Sequence, residues 1–341
     1  MRTPLYTKYR PHTFEDVSEQ KEVIDILQNQ LNTNTIRNCY LFVGPSGVGK
    51  TTLARIFANV INKGASGLTE MDAASNNGVE DVRLIIEKSN YQALDAEYRI
   101  FLLDECHMFS TGAWNAMLKT LEEPPKKTIF MFCTTDPQKI PDTIINRVQR
   151  FDLTKISYEG IVNRLNYIVE EEKKEDNELS VSSDVIEYIA KLANGGMRDA
   201  VSMLDKCLGL TNRLELEQAV KTLGSINYET MFDLFFAMYN CDEKRVIEIV
   251  DGVYNAGRDL KLFVKQYTNF LADICKYKLF ESFDYVRVPK VYKDQMDRCK
   301  NSDNEVLKTL LDKVNELNSK IKYESQVLPV IETELLLLSR E

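Results

Sequence analysis

One stretch constrains this chain more than any other: Gly44-Pro45-Ser46-Gly47-Val48-Gly49-Lys50-Thr51-Thr52. It follows an apolar run, Cys39 to Val43, and opens onto "TLARIFANVI", whose apolar residues recur at helical spacing. A Gly-x-x-x-x-Gly-Lys-Thr turn between a strand and a helix is a phosphate cradle. Its glycines let successive backbone N–H groups curl around phosphate oxygens, and the helix N-terminus adds favourable partial charge. Lys50 is placed to neutralise β- and γ-phosphates, and the Thr51 hydroxyl to ligate Mg2+.

Two more apolar runs, "RIFLLDE" (Arg99 to Glu105) and "TIFMFCTT" (Thr128 to Thr135), read as strands. They are apolar throughout and separated by helical patterns such as "STGAWNAMLKTLEE", which predicts a parallel sheet covered on both faces. The first ~150 residues therefore read as a doubly wound α/β domain. The first of these runs ends in Asp104 and Glu105, about 55 residues after the glycine-rich turn. Such a pair suits Mg2+ coordination by Asp104 and activation of water by Glu105. Thr134 and Thr135 end the other run, where a hydroxyl either touches a γ-phosphate and its attacking water or bonds the strand-end backbone. His107 reads as a packed or capping residue rather than a proton shuttle, and Trp114 as helix packing rather than base stacking. "DTIINRVQRF" carries two arginines, Arg147 and Arg150, at a surface helix end or aimed at a phosphate.

After Phe151 the strand signals stop and the pattern is helical to the end, with linkers expected near 152–156 and 211–226. Ser183 and Asp184 are placed to cap a helix that Gly195-Gly196 breaks, and Arg198 opens the next one, as a surface residue or one reaching back to a bound nucleotide. "EEEKKED" reads as a solvated helix end, and "ELLLLS" as a helix core or a subunit interface. The net charge is −9, unevenly spread: residues 1–150 hold 17 basic against 18 acidic side chains, the remainder 26 against 34. An acidic chain is a poor non-specific nucleic-acid binder, so any DNA contact must be local. Seven scattered cysteines without a CxxC pair, and only two histidines, argue against a zinc site. No apolar run reaches the roughly 18 residues of a membrane span, and "MRTPLYTKYRPHTF" lacks a signal core; no membrane partner and a cytoplasmic location are expected.

Taken in order, "KYRPHTFEDV", "GPSGVGKTTLARIFA", "DAASNNGVEDVR", "LLDECHMFSTGAWNAMLKTLEEPP", "TTDPQKIPDTIINRVQRF" and "GGMRDAVSMLD" resemble the bacterial clamp-loader ATPase subunits, the gamma/tau type of DNA polymerase III. The resemblance is dense over residues ~5–210. It implies an AAA+ core over residues 1–153, a helical lid over 154–222 and a helical collar over 223–341, an α/β module followed by all-α domains. It also implies a pentameric ring with other loader subunits, acting with ATP and Mg2+ on a sliding clamp and primer-template DNA. Roles carry over by position. Thr135 resembles the sensor-1 residue and Arg198 the sensor-2 arginine. Arg147 resembles the Ser-Arg-Cys arginine that completes a neighbour's ATP site. Val17 lies in the adenine-side segment, with Tyr9, Arg10 and Pro11 nearby.

The resemblance also implies DNA phosphate contacts at Asn77, Gly78, Arg83, Ser110, Thr111 and Lys119, and N–H groups at helix starts need no net positive protein to make them; Arg83 is otherwise an ion-pair partner of Asp81 or Glu87. The sequence departs from the family in three places. The four-cysteine zinc module is missing, so no zinc is expected. Ser-Arg-Cys is Asn146-Arg147-Val148, and "DVVGQ" is "DVSEQ" with Ser18 and Glu19. This combination fits a divergent form, virus-encoded or minimal bacterial. Two other functions are compatible with the core motifs: a hexameric branch-migration DNA motor, and a non-hydrolysing scaffold subunit of the loader.

Overall fold

The computed structural model describes residues 3–64, 66–93, 95–223 and 228–338. The chain divides into two compact units, Met1–Asn177 with Ala193–Asp205, and Glu178–Leu192 with Lys206–Glu341. Among the described residues no helix is long and apolar enough to cross a membrane.

The first unit runs α1 (Leu5–Lys8), α2 (Lys21–Thr33), β1 (Cys39–Val43), α3 (Lys50–Ile61), β2 (Leu68–Asp72), α4 (Val79–Ser89), β3 (Arg99–Asp104), α5 (Thr111–Glu122), β4 (Thr128–Thr134), α6 (Asp142–Ile145), β5 (Gln149–Asp152) and α7 (Tyr158–Glu175). The strands form one parallel sheet in the order β2-β3-β4-β1-β5. Every residue of β1 and β4 is buried, as the unbroken apolar runs predict. Successive side chains alternate faces. Tyr40, Phe42, Ile100, Leu102 and Met131 pack with Leu27 of α2 and Leu53 and Phe57 of α3. Leu41, Val43, Phe101, Leu103 and Phe132 pack on the other face with Val82 of α4 and Trp114 and Met117 of α5. Each such side chain contributes about 1.5–3 kcal/mol by leaving water. The covered parallel sheet is the expected α/β architecture. Trp114 is 2% exposed and stands edge-on to Phe109, which places it in helix packing.

Two strands escaped the sequence reading. β2, "LTEMD", is an edge strand with no fully buried residue, so its side chains do not alternate cleanly. β5 is a four-residue edge strand with only Phe151 buried. Strand pairing also does not stop after Phe151: β6 (Ser180–Val181) pairs with β7 (Arg213–Leu214) in the second unit. These two-residue bridges carry no periodicity of their own.

The chain continues through α8 (Ser183–Leu192), α9 (Met197–Leu208), α10 (Leu216–Leu223), α11 (Tyr228–Tyr239), α12 (Glu243–Asn255), α13 (Leu260–Phe280), α14 (Lys293–Lys300), α15 (Asn304–Lys320) and α16 (Val327–Leu338). Residues expected as a linker over 211–226 thus contain β7 and α10; 224–227 fall outside the described residues. Ser183 is the first residue of α8 rather than its cap, and the break at Gly195-Gly196 separates α8 from α9. The second unit centres on α13, with Phe232, Phe270 and Tyr292 in ring contact; Phe232 and Phe270 meet edge-to-face at 4.8 Å. In "ELLLLS", Leu335 is buried and Leu337 is exposed, while Ser339 lies outside the described residues. All seven cysteines are unpaired, five of them buried.

A further correction concerns "EEEKKED". Lys173 and Lys174 do form exposed pairs with Glu170 and Glu171. Glu172, however, is 7% exposed and takes Lys8 Nζ at 2.8 Å and the Tyr9 hydroxyl at 2.7 Å.

Candidate nucleotide site

The parallel register brings three strand ends to one edge of the sheet. Val43 pairs with Thr134, and Leu103 with Phe132, so the turn after β1, the acids after β3 and the threonines after β4 converge. The crevice outside the carboxyl ends of such strands, where neighbours lie on both sides of β1, is where open α/β sheets bind ligands.

The glycine-rich turn is held from beneath by the Gly44 N–H donating to Thr134 O at 3.2 Å. A Cβ at Gly44 would lie 2.7 Å from the Leu153 carbonyl oxygen, and Gly49 has φ 105°, where a side chain is strained. Among the described residues the N–H groups of 47 to 51 have no intrachain acceptor; the first helical bond runs from Leu53 N–H to Gly49 O at 2.8 Å. Lys50 is 6% exposed, and its ammonium donates to Gly44 O at 2.9 Å and Pro45 O at 2.8 Å. Burial pushes its pKa down, opposed by the carboxylates of Glu105 and Asp104. A buried ammonium resting on two loop carbonyls, beside unoccupied N–H donors, fits a polyphosphate.

Thr51 Oγ1 donates to Asp104 Oδ2 at 2.9 Å, and Asp104 Oδ1 accepts the Glu105 N–H at 3.0 Å. This hydroxyl–carboxylate pair is an all-oxygen donor set of the kind Mg2+ uses together with phosphate oxygens. Glu105 sits at φ 46°, ψ 42°, a left-handed conformation that costs a non-glycine residue of order 1–3 kcal/mol and concentrates at functional sites. Thr135 Oγ1 donates to Glu105 Oε2 at 3.1 Å.

A cleft of about 350 Å3 opens over these groups. The expected Tyr9, Arg10, Pro11, Val17, Ser46, Gly47, Val48, Gly49, Lys50, Thr51, Thr52, Asp104, Glu105 and Arg198 all line it. Gly44 and Pro45 lie behind, facing Lys50 with their carbonyls. Arg10 Nε donates to Thr52 Oγ1 at 3.3 Å, and burial, then the neighbouring Arg55, lowers its pKa. The Arg198 guanidinium lies 5.3 Å over the Tyr6 ring. Two lining arginines were not foreseen. Arg55 follows Thr51 by one helical turn and pairs with Glu70, while its Nε is buried without a partner. Arg164 of α7 donates to Tyr9 O at 2.7 Å. The i, i+4 spacing from Thr51 to Arg55 was a usable signal; Arg164 had none. The cleft wall thus presents Arg10, Lys50, Arg55, Arg164 and Arg198 against Asp104 and Glu105, a cationic hollow in an acidic chain.

Arg147 does not line the cleft. It follows α6, where its guanidinium donates to Thr143 O and pairs with Glu122 at the end of α5. Arg150 forms a two-point pair with Asp152, Nε to Oδ2 at 3.0 Å and Nη2 to Oδ1 at 2.6 Å. The proposed DNA residues are only partly gathered. Ser110 N–H donates to Asn77 O at 3.1 Å, so the starts of α4, after Gly78, and α5, at Thr111, adjoin; Ser110 Oγ caps α5 at Ala113 N–H, 3.2 Å. Arg83 pairs with Glu80, not with Asp81 or Glu87, because Asp81 is engaged by the Gly78 N–H. Lys119 stands on the exposed face of α5.

Sheet, turn, acid pair and cationic cleft define a P-loop nucleotide-binding module of the AAA+ class joined to a helical domain. In fold the chain is similar to the Thermotoga maritima RuvB Holliday junction branch migration motor, with a TM-score of 0.51 at 17% identity over 74% of this chain and 86% of that one. Residues 69–157 match the family described as DNA polymerase III, delta subunit, and residues 214–312 that described as DNA polymerase III subunits gamma and tau domain III. The chain is 35% identical to DNA polymerase III subunit tau of Bacillus subtilis, over 94% of its own length and 60% of that protein. It is 31% identical to DNA polymerase III subunit gamma of Buchnera aphidicola subsp. Schizaphis graminum, over 89% and 86%. Against Escherichia coli subunit tau it is 32% identical and spans 45% of that protein. The chain belongs to the DNA polymerase III gamma/tau subunit family.

Proposed function

We propose that this chain is an ATP-hydrolysing subunit of a sliding-clamp loader. The observation that carries the reading is the joining of Lys50, Thr51, Asp104 and Glu105 at one cationic cleft in a member of the gamma/tau family. Tyr9, Arg10, Pro11 and Val17 would take the base side, residues 44 to 52 the phosphates, and Arg198 would reach the nucleotide from α9. Thr51 and Asp104 would hold Mg2+, which when bound neutralises charge on the β- and γ-oxygens. Glu105 takes a proton from water as the water oxygen bonds to the γ-phosphorus and the bond to the β–γ bridging oxygen breaks, giving ADP and phosphate; Thr135 orients the carboxylate. Arg147, away from its own cleft, is assigned to the site of an adjacent subunit, where an arginine supplied in trans is worth about 10³–10⁵ in rate in other NTPases.

The wider reading is a pentameric ring with a core over 1–153, a lid over 154–222 and a collar over 223–341. The ring would open a clamp, grip primer-template DNA at the adjoining starts of α4 and α5, and hydrolyse ATP on contact. A non-hydrolysing scaffold is disfavoured because Lys50, Thr51, Asp104 and Glu105 are all retained. The RuvB likeness concerns the fold and does not favour a branch-migration function.

The test is ATP turnover of the assembled protein with and without primed DNA and clamp, paired with native mass. Stimulation by both in a five-subunit particle is expected, with turnover lost and ATP binding kept in Glu105→Gln. Wild-type turnover in Glu105→Gln, or none in the parent under any combination, overturns the assignment.

A further inference from the structure

We propose that His107 is a positioning residue for Glu105, holding one carboxylate oxygen so that the other is left to receive the proton of the attacking water; this rests on the reading of Glu105 as the general base. His107 lies on the short turn Cys106–Met108 that follows β3. Its Nδ1 is 3.1 Å from Thr134 Oγ1 and 3.3 Å from Glu105 Oε2. The side chain is 11% exposed, so the ring is confined rather than free in solvent.

Thr134 makes this contact rigid. It is wholly buried at the end of β4, and its hydroxyl oxygen accepts the Asp136 N–H at 3.0 Å. The ring is thereby tied to a sheet strand as well as to the turn carrying the base. The second contact on Glu105, the Thr135 hydroxyl, also falls on Oε2. Among the described residues no protein group bonds Oε1. A bare nitrogen lone pair facing a carboxylate oxygen would be repulsive, so the arrangement selects the tautomer with the proton on Nδ1. Oε2 then accepts the Thr135 hydroxyl and lies against the Nδ1 edge of the ring, and Oε1 is the free basic oxygen. Such fixing matters because the Glu105 backbone is left-handed and its side chain is half-buried, so without donors the carboxylate would sample several rotamers. A displacement of about 1 Å at a reacting group costs up to ~10²-fold in rate.

The two conservative replacements separate this role from packing. The Nδ2 of asparagine falls where Nδ1 lies, whereas the amide of glutamine reaches the Nε2 position. In the assembled protein with primed DNA and clamp, His107→Ala is expected to lower kcat by about 10- to 100-fold while KM and ATP affinity stay within about twofold. His107→Asn should recover most of kcat and His107→Gln should not. Thermal melting of each variant shows whether it is folded; if His107→Ala is not, the Asn–Gln comparison decides alone. An unchanged kcat in His107→Ala, or equal rates for Asn and Gln, overturns the proposal. Glu105→Gln, measured alongside, separates the readings: if it keeps turnover the base assignment fails, and if it alone loses turnover only the role of His107 fails.

Discussion

Arg147 shows how much one side chain's meaning depends on context. Its neighbours in sequence offer no reason to prefer it over Arg150, yet the two are held differently. Arg150 is locked to Asp152 two residues away on the same strand. Arg147 rests on Glu122, with its side chain 31% exposed and that of Glu122 49% exposed. A pair so accessible is worth at most about 1 kcal/mol, so transfer of the guanidinium to a phosphate of another subunit is cheap. Two outcomes follow for the assembled protein. Arg147→Ala should leave ATP affinity at its own cleft unchanged and abolish hydrolysis in the subunit it abuts, read by mixing it with hydrolysis-deficient Glu105→Gln protein. Glu122→Gln, which frees the arginine, should raise DNA-stimulated turnover by no more than about fivefold, the factor 1 kcal/mol allows. A fall in turnover on that substitution would show that Glu122 aims Arg147 rather than detaining it.

At the scale of elements, the link between the N-terminal segment and α7 governs one wall of the cleft. Glu172 stands in a run of seven charged residues, which reads as a solvated helix end. The helix phase says otherwise. Ile161, Leu165, Ile168 and Glu172 recur at i, i+4, i+7 and i+11, one face, and that face is buried. The carboxylate is accordingly satisfied by Lys8 and by Tyr9, whose pKa rises to about 12 through burial and then through this acceptor. Since Tyr9 and Arg10 line the cleft, the latch also positions the cleft wall. Glu172→Ala should cost about 1 kcal/mol in chemical denaturation, the net worth of a lost hydrogen bond between partly exposed groups, and weaken ATP binding. Equal ATP affinity would confine the latch to stability. The starts of α4 and α5, by contrast, were legible, because caps and glycines are local signals.

The molecule as a whole is divided between a sheet unit that carries the candidate nucleotide site and a helical unit with its own core. In the latter, Asp273 of α13 is 2% exposed, accepting the Arg287 N–H at 2.9 Å while Oδ1 has no hydrogen bond and lies 3.6 Å from Lys276 Nζ. Burial raises its pKa above the ordinary 3.8 despite Arg287 and Lys276. The folded state then binds this proton more tightly than the unfolded one. The group therefore favours folding below the unfolded pKa and loses that contribution as pH rises through the folded value. Asp273→Asn keeps an acceptor for Arg287 and removes the titration. Its Tm relative to the parent should increase from about pH 4 to about pH 8; a difference independent of pH would show that the carboxylate is not strained by burial.

The amino-acid sequence by itself determined the phosphate turn, the acid pair, the buried strands β1, β3 and β4, and the family, because each is written in neighbouring residues whose chemistry or periodicity needs no partner to be recognised. Only the tertiary structure decided the edge strands β2 and β5, the convergence of Arg55 and Arg164 on the cleft, the burial of Glu172, and the approach of His107 to one oxygen of Glu105. These depend on which distant segments pair and how closely they pack, and a side chain's spacing along the chain does not carry that information.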